Sequence, residues 1–241
     1  MRYGVFSDIH GNLEALEAVI TALKKDSVEM FLCGGDIVGY GANPNECIDR
    51  LIELKAVNIA GNHDWAVLGK LDVTYFNPIA KEAVVWTQKQ LKTNKIKFLH
   101  ELPLIFKNED LIMVHSTLQD PESFDYLDDV EKAGEMFSLM DRRVCFVGHT
   151  HVPVILCQEF GSMRLADKLF ITLASEGKYI INVGSVGQPR DGNPETMYCL
   201  FDSESQLTQI KRISYDVGSA QKKIKEAGLP QALAYRLSLG R

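Results

Sequence analysis

The chain has 241 residues, 46% hydrophobic and 24% charged, and no Gly-, Pro- or Ser-rich linker, so we expect a single domain over residues 1–241. The net charge of -6 argues against bulk nucleic-acid binding, and no apolar run approaches the ~20 residues of a membrane span. Five scattered cysteines without a CxxC pair argue against a disulfide framework and favour reduced thiols in a cytoplasmic protein.

Predicted strands alternate with predicted helices in the first part of the chain, and Asn12 is expected to cap the first helix through its side-chain oxygen. This alternation is typical of parallel βαβ units, whose ligands gather in the loops beyond the carboxyl ends of the strands. We therefore expect the polar loops 8–12, 34–36 and 61–64 to converge. The strands are predicted over 3–7, 30–33 and 57–60, and the helices over 13–23, 47–54 and 78–91.

The second half of the chain is predicted to be mainly β. A turn at 108–110 joins two strands in a hairpin-like pair, and His115 ends the second strand. One helix is expected over 128–140, and two C-terminal helices from about residue 217 are separated by Gly228 and Pro230. The strands are predicted over 104–107, 111–115, 144–147, 154–158, 179–183, 197–201 and 207–214.

Five of the six histidines, all but His100, lie in short polar loops that follow predicted apolar strands. Asp8 and His10 are two residues apart, so in extended backbone their side chains face the same way and can bind one cation. Asp36 ends another strand, and its two oxygens allow it to bridge two metal ions. The further candidate ligands are Asn62, His115, His149 and His151.

Each of these loops also has a purely structural interpretation. A single histidine at a strand end is usually an ordinary surface or core residue, and the segment 61–64 alone resembles a turn with an exposed His-Asp pair. The functional interpretation therefore depends on the whole set. Imidazoles and carboxylates without thiolates suit manganese, iron or zinc, and two such ions roughly 3.5–4 Å apart promote hydrolysis of a phosphate ester.

The order of the motifs carries a family resemblance. They read D-x-H at residue 8, G-D-x-x-G at 35, G-N-H-D at 61, a lone His115 and G-H-x-H at 148, and this series resembles the calcineurin-like metallophosphoesterase superfamily. The segment 182–190, NVGSVGQPR, is similar to a segment of small bacterial and archaeal members. The resemblance implies an α/β fold, a four-layer αββα sandwich of two packed mixed β-sheets with the metals at one edge.

The resemblance also implies roles for individual residues. The attacking group would be a metal-bound hydroxide at a dinuclear centre, with Asp36 as the bridge. His63 would lie near the substrate and protonate the leaving oxygen, while Asp64 holds its ring. One metal would be held by Asp8, His10, Asp36 and His151, and the other by Asp36, Asn62, His115 and His149.

Arg190 and Asn62 are the further candidates for substrate binding. The Arg190 guanidinium is suited to a phosphate oxygen, although a loop arginine is often solvated or paired with a neighbour such as Asp191. The expected partner is a small phosphate ester, hydrolysed by a phosphodiesterase, a nucleotide hydrolase or a phosphomonoesterase. The sequence does not choose among these substrates, and whether the chain forms a homodimer stays open.

A non-catalytic role is the alternative from a different functional class. The same fold serves as an interaction subunit in which catalytic ligands are dispensable. The chain retains His63 and all seven candidate ligands, which favours an enzyme over a scaffold.

Overall fold

Two mixed six-stranded sheets form the centre of the fold, in a computed structural model that describes residues 1–241. In the first sheet, β1 (Arg2–Phe6) is parallel to β2 (Met30–Cys33) and antiparallel to β11 (Thr196–Asp202). In spatial order this sheet contains β3 (Val57–Asn58), β2 (Met30–Cys33), β1 (Arg2–Phe6), β11 (Thr196–Asp202), β12 (Leu207–Ile213) and β9 (Phe170–Thr172).

The second sheet also combines parallel and antiparallel pairs. In spatial order it contains β4 (Ile105–Lys107), β5 (Ile112–Val114), β6 (Val144–Val147), β10 (Lys178–Asn182), β7 (Val154–Glu159) and β8 (Ser162–Leu165). Strand β6 is parallel to both β5 and β10, and the outer pairs are antiparallel.

Eight α-helices and one 3₁₀ turn, Val73–Tyr75, complete the secondary structure. The Asn12 side chain accepts a hydrogen bond of 3.2 Å from the Ala15 amide, which confirms the predicted cap of α1. No helix combines the length and the apolar character needed to span a membrane. The helices are α1 (Leu13–Lys25), α2 (Pro44–Leu54), α3 (Asn62–Val67), α4 (Pro78–Gln90), α5 (Thr93–His100), α6 (Val130–Leu139), α7 (Val217–Glu226) and α8 (Gln231–Leu237).

The sheets pack face to face, and helices cover their outer faces. Alternation along β6 illustrates the arrangement, because Val144 and Phe146 lie in the core between the sheets whereas Cys145 and Val147 pack with α6. On the other side, α1 and α2 pack on the first sheet around Phe6. The predicted four-layer αββα sandwich is therefore confirmed.

Several predicted elements require correction. The segment 61–64, predicted as a loop, includes the first turn of α3. Helix α5 and strands β8 and β9 were not predicted, whereas the strands 30–33 and 144–147 have the predicted bounds. Two C-terminal helices are present, beginning at Val217. All five cysteines are free and buried. The assignment of residues 1–241 to one domain stays a prediction.

Candidate metal centre

The loops after β1 and β2 run side by side at the carboxyl edge of the first sheet. The amide of Asp8 donates to the Gly35 carbonyl at 3.0 Å, and the amide of His10 donates to the Asp36 carbonyl at 2.9 Å. The loop after β6 joins them, because the His149 amide donates to both oxygens of the Asp8 carboxylate at 3.2 and 3.1 Å. Segment 61–64 meets them as well, since the His63 amide donates to Asp36 Oδ1 at 2.8 Å, so the three predicted loops converge at one edge.

Left-handed backbone is concentrated in these loops. Such a conformation is disfavoured for residues with a Cβ atom, and it persists where the surrounding structure enforces it, often at functional sites. The expectation that Asp8 and His10 lie in extended backbone is wrong, since both are left-handed. Five of the eleven non-glycine residues with positive φ are candidate ligands: Asp8 (56°), His10 (49°), Asp36 (51°), His149 (67°) and His151 (62°).

One group of acceptor atoms is formed by Asp8, His10 and His151. Each imidazole donates its Nδ1–H to a backbone carbonyl, that of His10 to Val38 at 3.2 Å and that of His151 to Gln188 at 2.6 Å. In the neutral rings both Nε2 atoms therefore carry lone pairs, yet they lie 3.0 Å apart. Asp8 Oδ1 lies 3.2 Å from His151 Nε2. Lone pairs that converge at this distance fit a shared cation.

A second group is formed by Asp36, Asn62, His115 and His149. The His115 Nδ1–H donates to the Gly34 carbonyl at 2.7 Å, so its Nε2 faces the site, 3.2 Å from Asn62 Oδ1. His149 Nε2 is buried without a hydrogen-bond partner. A buried polar atom without a partner is costly, and coordination to a cation would satisfy it.

Asp36 lies between the two groups. Its Oδ2 is 3.6 Å from His10 Nε2 and 3.5 Å from His115 Nε2, so a single carboxylate oxygen faces both. Its Oδ1 accepts a hydrogen bond of 2.8 Å from the His63 amide, which fixes the orientation of the carboxylate. The ligand atoms of Asp36, His10 and His63 also lie within 4.8 Å of one another.

Most of the imidazoles are held neutral by burial. Burial lowers the pKa of His149 to about 3 and of His63 to about 4, and it holds the pKa of His10 and His151 below the ordinary value. A neutral imidazole has a free lone pair on one nitrogen. These rings are therefore in the protonation state that metal binding requires.

His115 differs because the two carboxylates face it. Burial favours its neutral form, but Asp36 and Asp8 outweigh burial and raise the pKa of His115 to about 9. Burial likewise opposes ionisation of Asp8 and Asp36, yet nearby imidazoles hold both pKa values below the usual range. The centre thus stabilises positive charge at this point, as a site for a divalent cation must.

Two glycines make room for these carboxylates. A Cβ atom at Gly61 would collide with the Asp36 carboxylate, and one at Gly148 would collide with the Asp8 carboxylate. The glycines of the G-N-H-D and G-H-x-H motifs are therefore required for close approach of the backbone to the acidic ligands.

The structure does not support the predicted role of Asp64 as a partner of the His63 ring. The Asp64 carboxylate accepts hydrogen bonds from the backbone amides of Ile37, Val38 and Gly61, at 3.0, 3.2 and 3.0 Å. It thus ties the loop after β2 to the start of α3. His63 Nδ1 has no partner, and its ring packs instead against Tyr40, with 4.5 Å between centroids.

Arg190 lies close to the centre and is not paired with Asp191. Asp191 forms an ion pair with Arg212, whereas the Arg190 Nη2 donates to Gln188 Oε1 at 2.9 Å. The guanidinium lies 5.8 Å from the centroid of the Tyr40 ring. Burial is the main cause of the lowered pKa of His151, and the positive charge of Arg190 lowers that pKa further. The positive group therefore has no carboxylate partner and lies close enough to His151 for its charge to act on that ring.

Sequence reasoning missed an aromatic cavity beside the centre, with a volume of about 440 Å³. It also missed Tyr40, which contacts His10 and His63, and Arg236 on α8, whose pKa is lowered by burial and by Arg190. No motif marks these residues. The only sequence signal is a pair of aromatic-containing loops, Tyr75–Phe76 and Phe124–Tyr126. The cavity is lined by Tyr40, Asn62, His63, Leu71, Asp72, Tyr75, Phe76, Asn77, Ala80, Ser123, Phe124, Asp125, Tyr126 and His149.

Buried imidazoles and carboxylates that converge at the edge of a two-sheet sandwich are typical of a metal-dependent hydrolase. The chain belongs to the calcineurin-like phosphoesterase superfamily, whose domain matches residues 1–206. It is therefore a metallophosphoesterase, a hydrolase of phosphoric esters that binds divalent metal, and the family and fold expected from the motifs are confirmed.

Two similar proteins cover nearly the whole chain, and a third covers about four fifths of it. An uncharacterized protein of Methanocaldococcus jannaschii is 42% identical, over 98% of this chain and 97% of its own length. The crystal structure of a metallophosphoesterase from Sphaerobacter thermophilus is 37% identical and has a TM-score of 0.88, covering 100% of this chain and 99% of that one. Phosphodiesterase YfcE of Escherichia coli is 24% identical, over 82% of this chain and 85% of its own length.

Proposed function

We propose that the protein is a phosphodiesterase with a dinuclear centre of divalent transition-metal ions, manganese, iron or zinc. The observation that carries this proposal is the position of Asp36 Oδ2 between His10 Nε2 and His115 Nε2, at 3.6 and 3.5 Å. The first ion is assigned to Asp8, His10, Asp36 and His151, and the second to Asp36, Asn62, His115 and His149.

The donor set fits such ions in chemistry as well as in position. Imidazoles and carboxylates without thiolates suit first-row transition metals. When bound, two divalent ions lower the pKa of a coordinated water and neutralise charge on the phosphoryl oxygens. The backbone carbonyls that accept from His10, His115 and His151 fix which nitrogen of each ring faces the centre.

The chain supplies further groups for the substrate. Arg190 is positioned to bind a phosphate oxygen, because its guanidinium lies over Tyr40 without a carboxylate partner. The amide oxygen of Asn62 lies beside His115 Nε2 in the second group of ligands. Asn62 is therefore assigned two roles, as a ligand of the second ion and as a contact to the phosphate. The ring of His63 lines the cavity and is assigned to the leaving oxygen. The negative charge of a phosphate ester would raise the pKa of this ring and favour its protonated form.

A diester is favoured over a monoester by the space next to the centre. A monoester carries one organic group, whereas the second organic group of a diester requires additional room. The cavity of about 440 Å³ reaches His149 and Asn62 and provides that room. The relationship to a phosphodiesterase of Escherichia coli, at 24% identity, supports the same choice.

A non-catalytic scaffold is disfavoured by the retention of the whole ligand set. The candidate ligands and His63 are all buried at one edge of the sheets, which a surface for protein binding does not need. A small phosphate-ester substrate and a cytoplasmic location stay predictions, and the oligomeric state stays open.

The proposal is tested by metal content and by substrate preference. Protein loaded with manganese should contain two ions per chain by plasma mass spectrometry, and it should hydrolyse bis-p-nitrophenyl phosphate faster than p-nitrophenyl phosphate. Hydrolysis of the monoester alone would refute the diesterase assignment. One tightly bound ion with full activity would refute the dinuclear centre.

A further inference from the structure

The aromatic cavity beside the metal centre has two parts that differ in their packing. Its inner aromatic rings contact the candidate histidines. Phe76 lies 5.2 Å from His63 between ring centroids, and Phe124 lies 6.0 Å from His115. These inner rings are explained by their role in burying the centre.

The outer rings keep much of their surface exposed, so burial of the centre does not account for them. Tyr75 is 91% exposed, and Tyr126 is 47% exposed although it stacks on His149 with 4.1 Å between centroids. Both line the same cavity from separate loops, one before α4 and the other before α6. Large aromatic surface gathered at the mouth of a cavity is characteristic of a binding site.

The charges in the cavity restrict its occupant. The only charged side chains that line it are those of Asp72 and Asp125. Two carboxylates would repel a second phosphate group, and they attract donors such as hydroxyl and amino groups. The cavity therefore suits a flat ring system that carries hydrogen-bond donors and no negative charge, and that is attached to the phosphate at the metal centre.

We propose that this cavity binds the nucleoside part of the substrate, with the base stacked on the outer tyrosines and its donors facing the two aspartates. This inference rests on the proposed phosphodiesterase function and adds its substrate class. Stacking on aromatic side chains accepts any base, so the cavity selects nucleosides as a class and not one particular base.

The test compares two ligands that differ only in the base, adenosine 5′-monophosphate and ribose 5-phosphate. Their inhibition constants are measured from initial rates of bis-p-nitrophenyl phosphate hydrolysis by the manganese-loaded protein. We expect the nucleotide to bind at least about tenfold more tightly than the sugar phosphate, because base stacking contributes to its affinity alone. Equal constants would overturn the inference and leave the phosphodiesterase proposal intact.

Variants at the outer rings identify where the base binds. The preference for the nucleotide is expressed as the ratio of the inhibition constant of ribose 5-phosphate to that of adenosine 5′-monophosphate. Tyr75→Ala or Tyr126→Ala should lower this ratio at least about fivefold, whereas Tyr75→Phe should keep it. Phe160, 93% exposed between β7 and β8, provides the matched control, and Phe160→Ala should leave the ratio unchanged. An unchanged ratio in both tyrosine-to-alanine variants, or an equal fall in the Phe160 control, would overturn the inference.

If the protein does not hydrolyse the diester, the proposed function fails while the inference can still be tested. Isothermal titration calorimetry of the manganese-loaded protein then gives the dissociation constants of the same two ligands. A preference for the nucleotide that is lost in Tyr75→Ala supports the nucleoside site, and no preference overturns it.

Discussion

Gly61→Ala is a sensitive test of the geometry around Asp36, because it adds one methyl group without changing any ligand. The Cβ atom would collide with the Asp36 carboxylate and lie 2.5 Å from the Asp36 backbone nitrogen. Gly61 has φ of -108°, which alanine adopts freely, so the effect comes from the collision and not from backbone strain. Either Asp36 or the start of α3 must therefore move.

The expected size follows from overpacking of a buried site. Such collisions typically cost about 1–3 kcal/mol of unfolding free energy, which lowers the melting temperature of a domain of this size by about 2–12 °C. Because Asp36 faces both acceptor groups, its displacement should weaken both metal sites. Metal content and turnover of bis-p-nitrophenyl phosphate should fall together.

Gly134→Ala serves as the matched control. Gly134 lies within α6, and its nearest neighbour to an added Cβ atom is Met163 Cε at 3.7 Å, an ordinary contact. Alanine in a helix interior should stabilise the protein by about 0.5–1 kcal/mol and leave metal binding unchanged. Thermal melts with and without manganese, together with metal analysis, measure both effects. A Gly61→Ala protein with parental stability, two bound ions and parental activity would refute this account of the centre.

Three further predictions concern the substrate groups and the metal. His63→Ala should keep its metals and lose at least about tenfold more rate on an alkyl or nucleoside ester than on a p-nitrophenyl ester, because general acid catalysis matters most for poor leaving groups. Equal losses would indicate positioning or charge stabilisation, and loss of metal would make His63 a ligand. Arg190→Ala should raise KM for an anionic diester at least about tenfold, the usual effect of losing a charged hydrogen bond, and unchanged KM and kcat would leave Arg190 with a structural role. Chelation of the metal should lower the melting temperature, by an amount equivalent to about 2.7 kcal/mol for each site at which free metal had been at 100 times its Kd. An unchanged melting curve would contradict metal binding to the folded state.

The layered fold and the convergence of the loops could be predicted because their signals are local. Apolar strands followed by polar residues such as Asp8 and Asp36 mark the carboxyl ends of parallel strands, which meet at one edge of a sheet. Strand β8 escaped prediction for the opposite reason. All four of its residues are exposed, so it lacks the alternation of apolar and polar side chains that identifies a half-buried strand.

Details of the site could not be predicted because they depend on contacts between distant segments. The left-handed conformation of His10 is set by pairing with the loop after β2, and extended backbone was the local expectation. Asp64 follows His63 directly, which suggested contact with its ring, but the start of α3 turns the carboxylate toward three backbone amides. Tyr75 and Tyr126 lie about fifty residues apart with no regular spacing, and only the fold brings them to one cavity.

The central claim is that one carboxylate, that of Asp36, serves two metal ions, and Asp36→Asn tests it most directly. The amide has nearly the same shape, so the fold should persist, whereas a neutral group in place of the buried carboxylate should weaken both sites. Asp141→Asn, at an exposed ion pair with Lys107, is the control that should retain metal and activity. For Asp36→Asn, but not for Asp141→Asn, the metal content per folded chain and the rate on bis-p-nitrophenyl phosphate should both fall. The loss of metal should affect both sites. A folded Asp36→Asn protein that keeps two tightly bound ions and full activity would contradict the claim.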